Sequence, residues 1–249
     1  MESEITPELA EICGIHAGDG YLRDDGKRRE LDISGGVEEK EYYDSHVVPL
    51  FEKAFNLSIK ARFFPSRSTY GFVIRNKAVI VKMHSLGFPY GAKSTIVSTP
   101  KEILNSKNKE IVNRFLRGLF DTDGCLSFFK RNYGKYCVFK ATRNYYPQVG
   151  IKLVSEKLSQ EINDLLSYLG FNHYSNSYQP HNINSNKVFC VRLSGTANLE
   201  KWIQNIGFKN MSKLSRYLIW KEHGFCPAHI TFAQRKQILN KQIDPNSFY

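Results

Sequence analysis

The chain contains two copies of one pattern, and that duplication limits what it can fold into. Residues 9–22 read LAEICGIHAGDGYL and residues 113–126 read NRFLRGLFDTDGCL. Aligned on Asp-Gly, the copies share an aliphatic residue at Ile12 and Leu116, glycine at Gly14 and Gly118, and a second aliphatic residue at Ile15 and Leu119. Asp19-Gly20 then matches Asp123-Gly124. The offset is 104 residues in a chain of 249, so each copy opens about one half. A second match follows in the same order. Leu86-Gly87-Phe88 leads to Lys93 and Ile206-Gly207-Phe208 to Lys213, each lysine six residues after its glycine. Two correspondences in one order point to a duplicated domain.

The local signals repeat as well. Thr6-Pro7 is an N-cap and first-turn pair for a helix through the first copy, and Ser106 is the expected cap of the second. Glycine after each aspartate marks a helix end. Alternating segments predict strands at 21–25 and 29–34, then 58–64 and 69–75. Their counterparts are 125–130, 147–154, 171–179 and 187–194. Amphipathic helices are expected at 38–55 and 155–169, and closing helices at 76–86 and 196–206. Each half reads αββαββα, an α+β repeat. The expected division is a first repeat over 1–93, a linker over 94–106, a second repeat over 107–222 and an extension over 223–249. Residues 211–241 look helical, with no role assigned.

Charge narrows the partners. Lys and Arg number 35 against 24 Asp and Glu, a net charge of +11. A chain this basic has reason to sit on a polyanion, although some basic proteins are merely soluble. The five cysteines are odd in number and none is spaced C-x-x-C, which argues against a disulfide framework and a zinc ribbon. The start is acidic, with no apolar run of a secretory or transit signal, and no stretch reaches membrane-span length. The expected setting is a prokaryotic cytoplasm, or the inside of an organelle that encodes the protein, without secretion or a membrane partner.

The two copies resemble the motif of the LAGLIDADG homing endonucleases. Leu116–Gly124 is a close match, with Asp121 as its first acidic residue; Ile12–Gly20 is looser, with Ala17 at that place. Both keep the third-position glycine and the final Asp-Gly. The resemblance implies a monomer of two pseudo-symmetric αββαββα repeats. Saddle-shaped antiparallel sheets would flank two motif helices packed at the interface. It implies a sequence-specific double-strand DNA endonuclease that hydrolyses phosphodiesters at a long, non-palindromic site. Proteins of the same fold also serve as RNA maturases or DNA-binding regulators, so intron RNA is a further possible partner. The chain lacks a Cys or Ser start and a His-Asn end, which argues against a self-splicing intein.

The chemistry follows from the residues. Duplicated helices should pack about a pseudo-two-fold axis. Gly14, Gly18 and Gly118 would let them approach more closely than the usual separation of about 8–10 Å. Asp19 and Asp123 then meet at one end. Paired carboxylates repel unless they share a cation. Hard oxygen ligands suit Mg²⁺, and Mn²⁺ or Ca²⁺ are other candidates for the site. The negative helix ends favour a cation too. Gly18 and Thr122 complete the expected metal set. The resemblance puts Lys93 and Lys213 at its edge, to polarise water or offset phosphate charge. The competing explanations are a turn-forming Asp-Gly and surface lysines. His16 and Cys13 are expected to pack between the helices.

In the family, the sheet face opposite the core lies along the DNA major groove. Strand parity puts Leu22, Leu126 and Phe128 in the core and Tyr21, Arg23, Asp25, Cys125, Ser127, Phe129 and Arg131 opposite. Later strands add Lys60, Arg62 and Arg75 in the first half, and Gln148, Lys152 and Arg192 in the second, as base readers. Lys27, Arg28 and Arg29 form a hairpin-tip cluster. Lys130, Lys135, Lys140 and Arg143 form another, suited to phosphates. Ordinary solvated surface charge is the alternative for any one of them.

Overall fold

A computed structural model of the chain describes residues 5–131, 142–182 and 184–249. Lys135, Lys140 and Cys137 lie outside the described residues. The first motif helix, α1, runs Pro7–Asp19, capped by Thr6, whose hydroxyl accepts from the Leu9 amide. The second, α6, runs Lys109–Thr122. Its cap is Asn108 rather than Ser106: the Asn108 side chain accepts from the Glu110 amide, and the Ser106 hydroxyl accepts from the Asn108 amide instead.

Each motif helix runs straight into a sheet. Gly20 opens β1 (Gly20–Asp24) and Gly124 opens β5 (Gly124–Phe129). Gly20 is extended (φ −85°), not left-handed as a helix-ending glycine would be. It is needed for space, since a β-carbon there would fall 2.1 Å from His16 Nδ1. The first sheet adds β2 (Arg29–Gly36), β3 (Arg62–Phe64) and β4 (Thr69–Ile74) in the order β1-β2-β4-β3. The second adds β6 (Tyr146–Leu153), β7 (Tyr174–Tyr178) and β8 (Val188–Ser194) in the order β5-β6-β8-β7. All neighbours are antiparallel, with Gly20 opposite Ile33 and Gly124 opposite Ile151. Alternation buries Leu22, Leu31, Ile33 and Phe72 in one half, and Leu126, Val149, Ile151 and Leu193 in the other.

The helices α4 (Lys77–Ser85), α7 (Glu156–Tyr168) and α8 (Thr196–Asn205) match the expected segments closely. Two segments differ. The strand expected from residue 58 begins only at Arg62, because Glu52 holds the intervening chain against its helix. Its carbonyl accepts from the Leu57 amide and its carboxylate from the Ile59 amide at 2.7 Å. Lys60 is therefore outside the sheet. The helix expected over 38–55 is a composite: α2 (Lys40–Tyr42), a π turn over Tyr43–Val47, and α3 (Val48–Phe55). Pro49 has no N–H for the Ser45 carbonyl, and a widened turn accommodates it.

The segment 94–106 carries a short helix, α5 (Lys101–Leu104). Residues 211–241 form two helices, α9 (Met211–His223) and α10 (Phe232–Leu239), separated where Gly224 takes a left-handed backbone (φ 78°). No helix among the described residues is long and apolar enough to cross a membrane.

Candidate active site

The site starts with how closely α1 and α6 approach. A β-carbon on Gly14 would lie 2.1 Å from the Phe115 carbonyl oxygen, and one on Gly118 2.2 Å from that of Glu11. Glu11 and Phe115 occupy equivalent places in the two copies, so these contacts are reciprocal about a pseudo-two-fold axis. At the end of the pair, Gly18 leaves room for its counterpart Thr122, whose hydroxyl would be 2.1 Å from a β-carbon there. The Asp123 carboxyl carbon would be 3.2 Å away. The carboxylate from one repeat thus stands beside the residue before Asp19 in the other.

The two aspartates have different surroundings. Asp19 is half-buried and its Oδ2 accepts from the Tyr43 hydroxyl at 2.7 Å. Burial and then the nearby Glu39 charge push its pKa up to about 7; the Tyr43 hydrogen bond opposes them, and Asp123 adds to the rise. Asp123 is exposed as a residue, while its carboxyl group packs against Gly18 of the other repeat. Its pKa is raised by burial of that group, against the charges of Lys93 and Lys213. Glu39 completes the group. A β-carbon on Gly35 would lie 2.6 Å from oxygens of both Asp19 and Glu39, so this glycine makes their space. Glu39 accepts from the Asn210 side chain at 2.6 Å and stands 3.6 Å from the Lys213 ammonium.

Both lysines reach the helix ends by the same geometry. Lys93 donates to the Ala17 and Gly18 carbonyls at 2.8 and 2.7 Å; Lys213 donates to the equivalent carbonyls of Asp121 and Thr122, the latter at 3.0 Å. Each ammonium caps carbonyls that the helix leaves unpaired, at its negative end. Asp121 lies behind this arrangement. It accepts from the Lys209 and Asn210 amides and so fixes the start of α9, which carries Lys213. Burial pushes the Asp121 pKa up to about 6.

His16 and Cys13 are fully buried. His16 packs against Phe88 of its own repeat, with ring centres 4.4 Å apart, rather than between the helices. Burial brings its pKa down to about 3.

The sequence-nominated face residues divide by half. On the second sheet, Cys125, Gly150, Arg192 and Tyr174 form one cross-strand row, and Ser127, Gln148 and Ser194 the next. Asp123, Cys125, Ser127, Gln148, Lys152 and Arg192 share one groove of about 320 Å³. Arg192 donates to the Asn176 side chain, and Arg131 stacks 3.6 Å from the centre of the Tyr146 ring beside exposed Phe129. Arg143 instead turns to the C-terminus, stacking 4.4 Å from the centre of the Tyr249 ring.

On the first sheet Arg23, Arg29 and Arg75 already have acidic partners. Arg23 pairs with Asp25 and Arg29 with Asp24, both at 2.8 Å, and Arg75 with Glu30 at 3.6 Å. Asp25 lies just past β1, where its carboxylate also accepts from the Lys27 and Arg28 amides and closes the hairpin. Tyr21 is exposed, and Arg62 stacks on Phe64. Sequence reasoning missed Glu39, Tyr43, Asn210 and Arg67, which pairs with Asp32 at 2.8 Å. Of these only Asn210 left a signal, as an N-cap before a helical run.

The fold and site define a duplicated α+β protein, with one acidic pair at the junction of its repeats and a polar groove running from it. A family model described as a LAGLIDADG-like domain matches residues 110–207. Among solved structures, the homing endonuclease I-DmoI in complex with DNA and Mn has a TM-score of 0.54 at 15% identity, covering 81% of this chain and 96% of that one. A mesophilic variant of I-DmoI gives 0.53 at 16%, covering 81% and 95%. Two archaeal proteins align over most of this chain. They are the replication factor C small subunit of Methanocaldococcus jannaschii (27% identity, 87% of this chain, 10% of that protein) and the tRNA-splicing ligase RtcB of Methanopyrus kandleri (22%, 81% and 20%). The chain spans about a tenth and a fifth of the length of these curated relatives. Residues 110–207 therefore form a LAGLIDADG-like domain, and the chain as a whole has the two-repeat LAGLIDADG fold.

Proposed function

We propose that the chain is a sequence-specific DNA endonuclease of the homing type, cutting both strands of a long duplex site as a monomer. The observation that carries this is the Asp19–Asp123 pair at the close-packed helix ends, with Asp123 opening into the polar groove of the second sheet. The net charge of +11 suits a polyanionic partner. Each half presents different side chains, so one monomer would meet two unlike half-sites.

The donor set fits a hard divalent cation. Asp19, Asp123 and Glu39 crowd negative charge at two helix C-termini, which favours a cation among them. No group of three or more His, Cys, Asp or Glu side chains gathers as a metal holder among the described residues. Asp19 and Asp123 would be the protein donors, joined by the Gly18 and Thr122 carbonyls through the lone pairs that Lys93 and Lys213 leave free. So few suits Mg²⁺, which keeps several waters; Mn²⁺ and Ca²⁺ share its oxygen preference. The cation would supply Lewis acidity at the scissile phosphate. Tyr43 orients the Asp19 carboxylate, and Lys93 and Lys213 hold positive charge where phosphate oxygens would arrive.

The test is cleavage of a randomised duplex library with Mg²⁺. The wild type should cut a recoverable site, and Asp19→Asn and Asp123→Asn should each lose cutting by at least about 100-fold while still binding it. Cutting that survives both substitutions would refute the site. Duplex binding without cutting in Mg²⁺ or Mn²⁺ would leave a DNA-binding regulator, and stimulated intron splicing would indicate a maturase.

A further inference from the structure

The C-terminal segment builds a cationic site beside the acidic pair. After Gly224 the chain folds back over α9, and the Cys226 amide donates to the Asn144 carbonyl at the base of the second-sheet hairpin (2.9 Å). Arg235, from α10, is buried. Its guanidinium donates to Ser215 Oγ at 3.0 Å and to the carbonyls of Ser212 and Ile230 at 3.1 and 2.7 Å. Between α9, the free edge of β5 and the 226–229 loop lies a cleft of about 500 Å³. Lys213, Arg216, His229 and Arg235 line it, and Glu38 is the single carboxylate in its wall.

Neither arginine has an ion-pair partner among the described residues. Burial and the repulsion of Arg216 bring the Arg235 pKa down to about 10. Two guanidinium groups share this wall with one carboxylate, Glu38, which forms an ion pair with neither, so they leave positive charge that an anion would relieve. The planar donor fork of arginine suits phosphate oxygens. The cleft also joins the nucleic-acid groove, since Cys125 and Ser127 line both.

We propose that this cleft binds a phosphodiester of the duplex, so that the C-terminal segment extends the DNA-contacting surface past Asp123. Arg216 is the direct contact, and Arg235 is the positioning residue that braces α9. The proposal rests on duplex DNA being the partner.

Two variants test it, with binding to duplexes of several sequences measured across a salt series. Each phosphate contact contributes about 0.9 to the slope of log affinity against log salt. Arg216→Gln should lower that slope by about 1 and weaken all sequences alike. Glu38→Gln, at an exposed position, should strengthen them alike. If the wild type binds duplex and neither variant changes slope or affinity, the cleft proposal is overturned and the endonuclease proposal stands. If the wild type binds no duplex, the endonuclease proposal falls. Thermal protection by inorganic pyrophosphate then decides the cleft. Protection lost in Arg216→Gln retains an anion site there, and no protection of the wild type overturns it.

Discussion

Gly14 and Gly118 each face the backbone of the other's helix, so close that a β-carbon on either would fall 2.1–2.2 Å from a carbonyl oxygen. Backbone cannot turn aside as a flexible side chain can. Gly14→Ala or Gly118→Ala should therefore push α1 and α6 apart, at a cost of at least about 1–3 kcal/mol. The shift would also separate Asp19 from Asp123, and a displacement of about 1 Å can cost about 100-fold in rate. Urea unfolding and cleavage assays check both. A Gly118→Ala variant with the wild-type midpoint would contradict this packing.

The same helix pair carries a buried ion cluster. Glu11 of α1 accepts from Arg114 at 2.7 Å, from Arg117 at 2.9 and 2.6 Å, and stands 2.7 Å from the His46 ring nitrogen. Burial would raise the Glu11 pKa, but the bonds from His46 and Arg117 outweigh it and hold the carboxyl at about 2, below its ordinary 4.5. A depressed carboxyl stabilises the fold above its unfolded pKa, and that stability is lost as pH falls from about 4.5 through about 2. The amount is on the order of 3 kcal/mol. Glu11→Gln should be less stable at pH 7, because it leaves the partly buried guanidinium groups of Arg114 and Arg117 without their carboxylate. It should also lose part of the acid-dependent slope. Unfolding free energies at pH 7, 4 and 3 test this, and an unchanged slope would exclude Glu11 as its source.

The duplication was legible because it rests on glycine spacing and strand alternation, which are properties of the sequence itself. The motif helices, both sheets and the acidic pair followed from it. Glu39 and Tyr43 left no such mark, because Glu39 sits in a 3-10 turn (Val37–Glu39) after β2 and Tyr43 opens the π turn before Pro49, and neither irregular turn has a periodic signature. The hairpin-tip charges were legible as residues but not as pairs. Asp24 and Asp25 take up Arg29 and Arg23 only once the turn has closed. Arg216 and Arg235 line one cleft only because the chain returns over α9, a long-range event without a local pattern.

Tyr43 offers a test of how Asp19 is held. Its hydroxyl donates to the carboxylate at 2.7 Å, whereas the nearby Tyr70 hydroxyl donates to Asp44 at the same distance, away from the aspartate pair. A hydrogen bond to a charged group contributes about 1.5–3 kcal/mol. Tyr43→Phe should slow single-turnover cleavage by roughly 10-fold or more, with DNA affinity unchanged. Tyr70→Phe should affect stability alone. Equal effects on cleavage from the two would remove Tyr43 from the site.

The unequal sheet faces predict unequal costs. Arg75 is tied to Glu30 at 3.6 Å, so a DNA contact must first compete with that carboxylate. Arg192 faces Asn176 and Tyr174, neutral groups, and shares its groove with Asp123 and Lys152. Its charge is therefore available to the duplex at a smaller cost. Arg192→Ala should weaken binding to the cleaved site by about 1–3 kcal/mol and relax the sequence requirement at one position. Arg75→Ala should cost less, because it removes a cation whose charge Glu30 already offsets. Anisotropy titrations at one fixed salt concentration, on the recovered site and its single-base variants, measure both. A larger loss from Arg75→Ala than from Arg192→Ala would mean that the first-sheet pairs open on binding, and that the first repeat carries the tighter half-site.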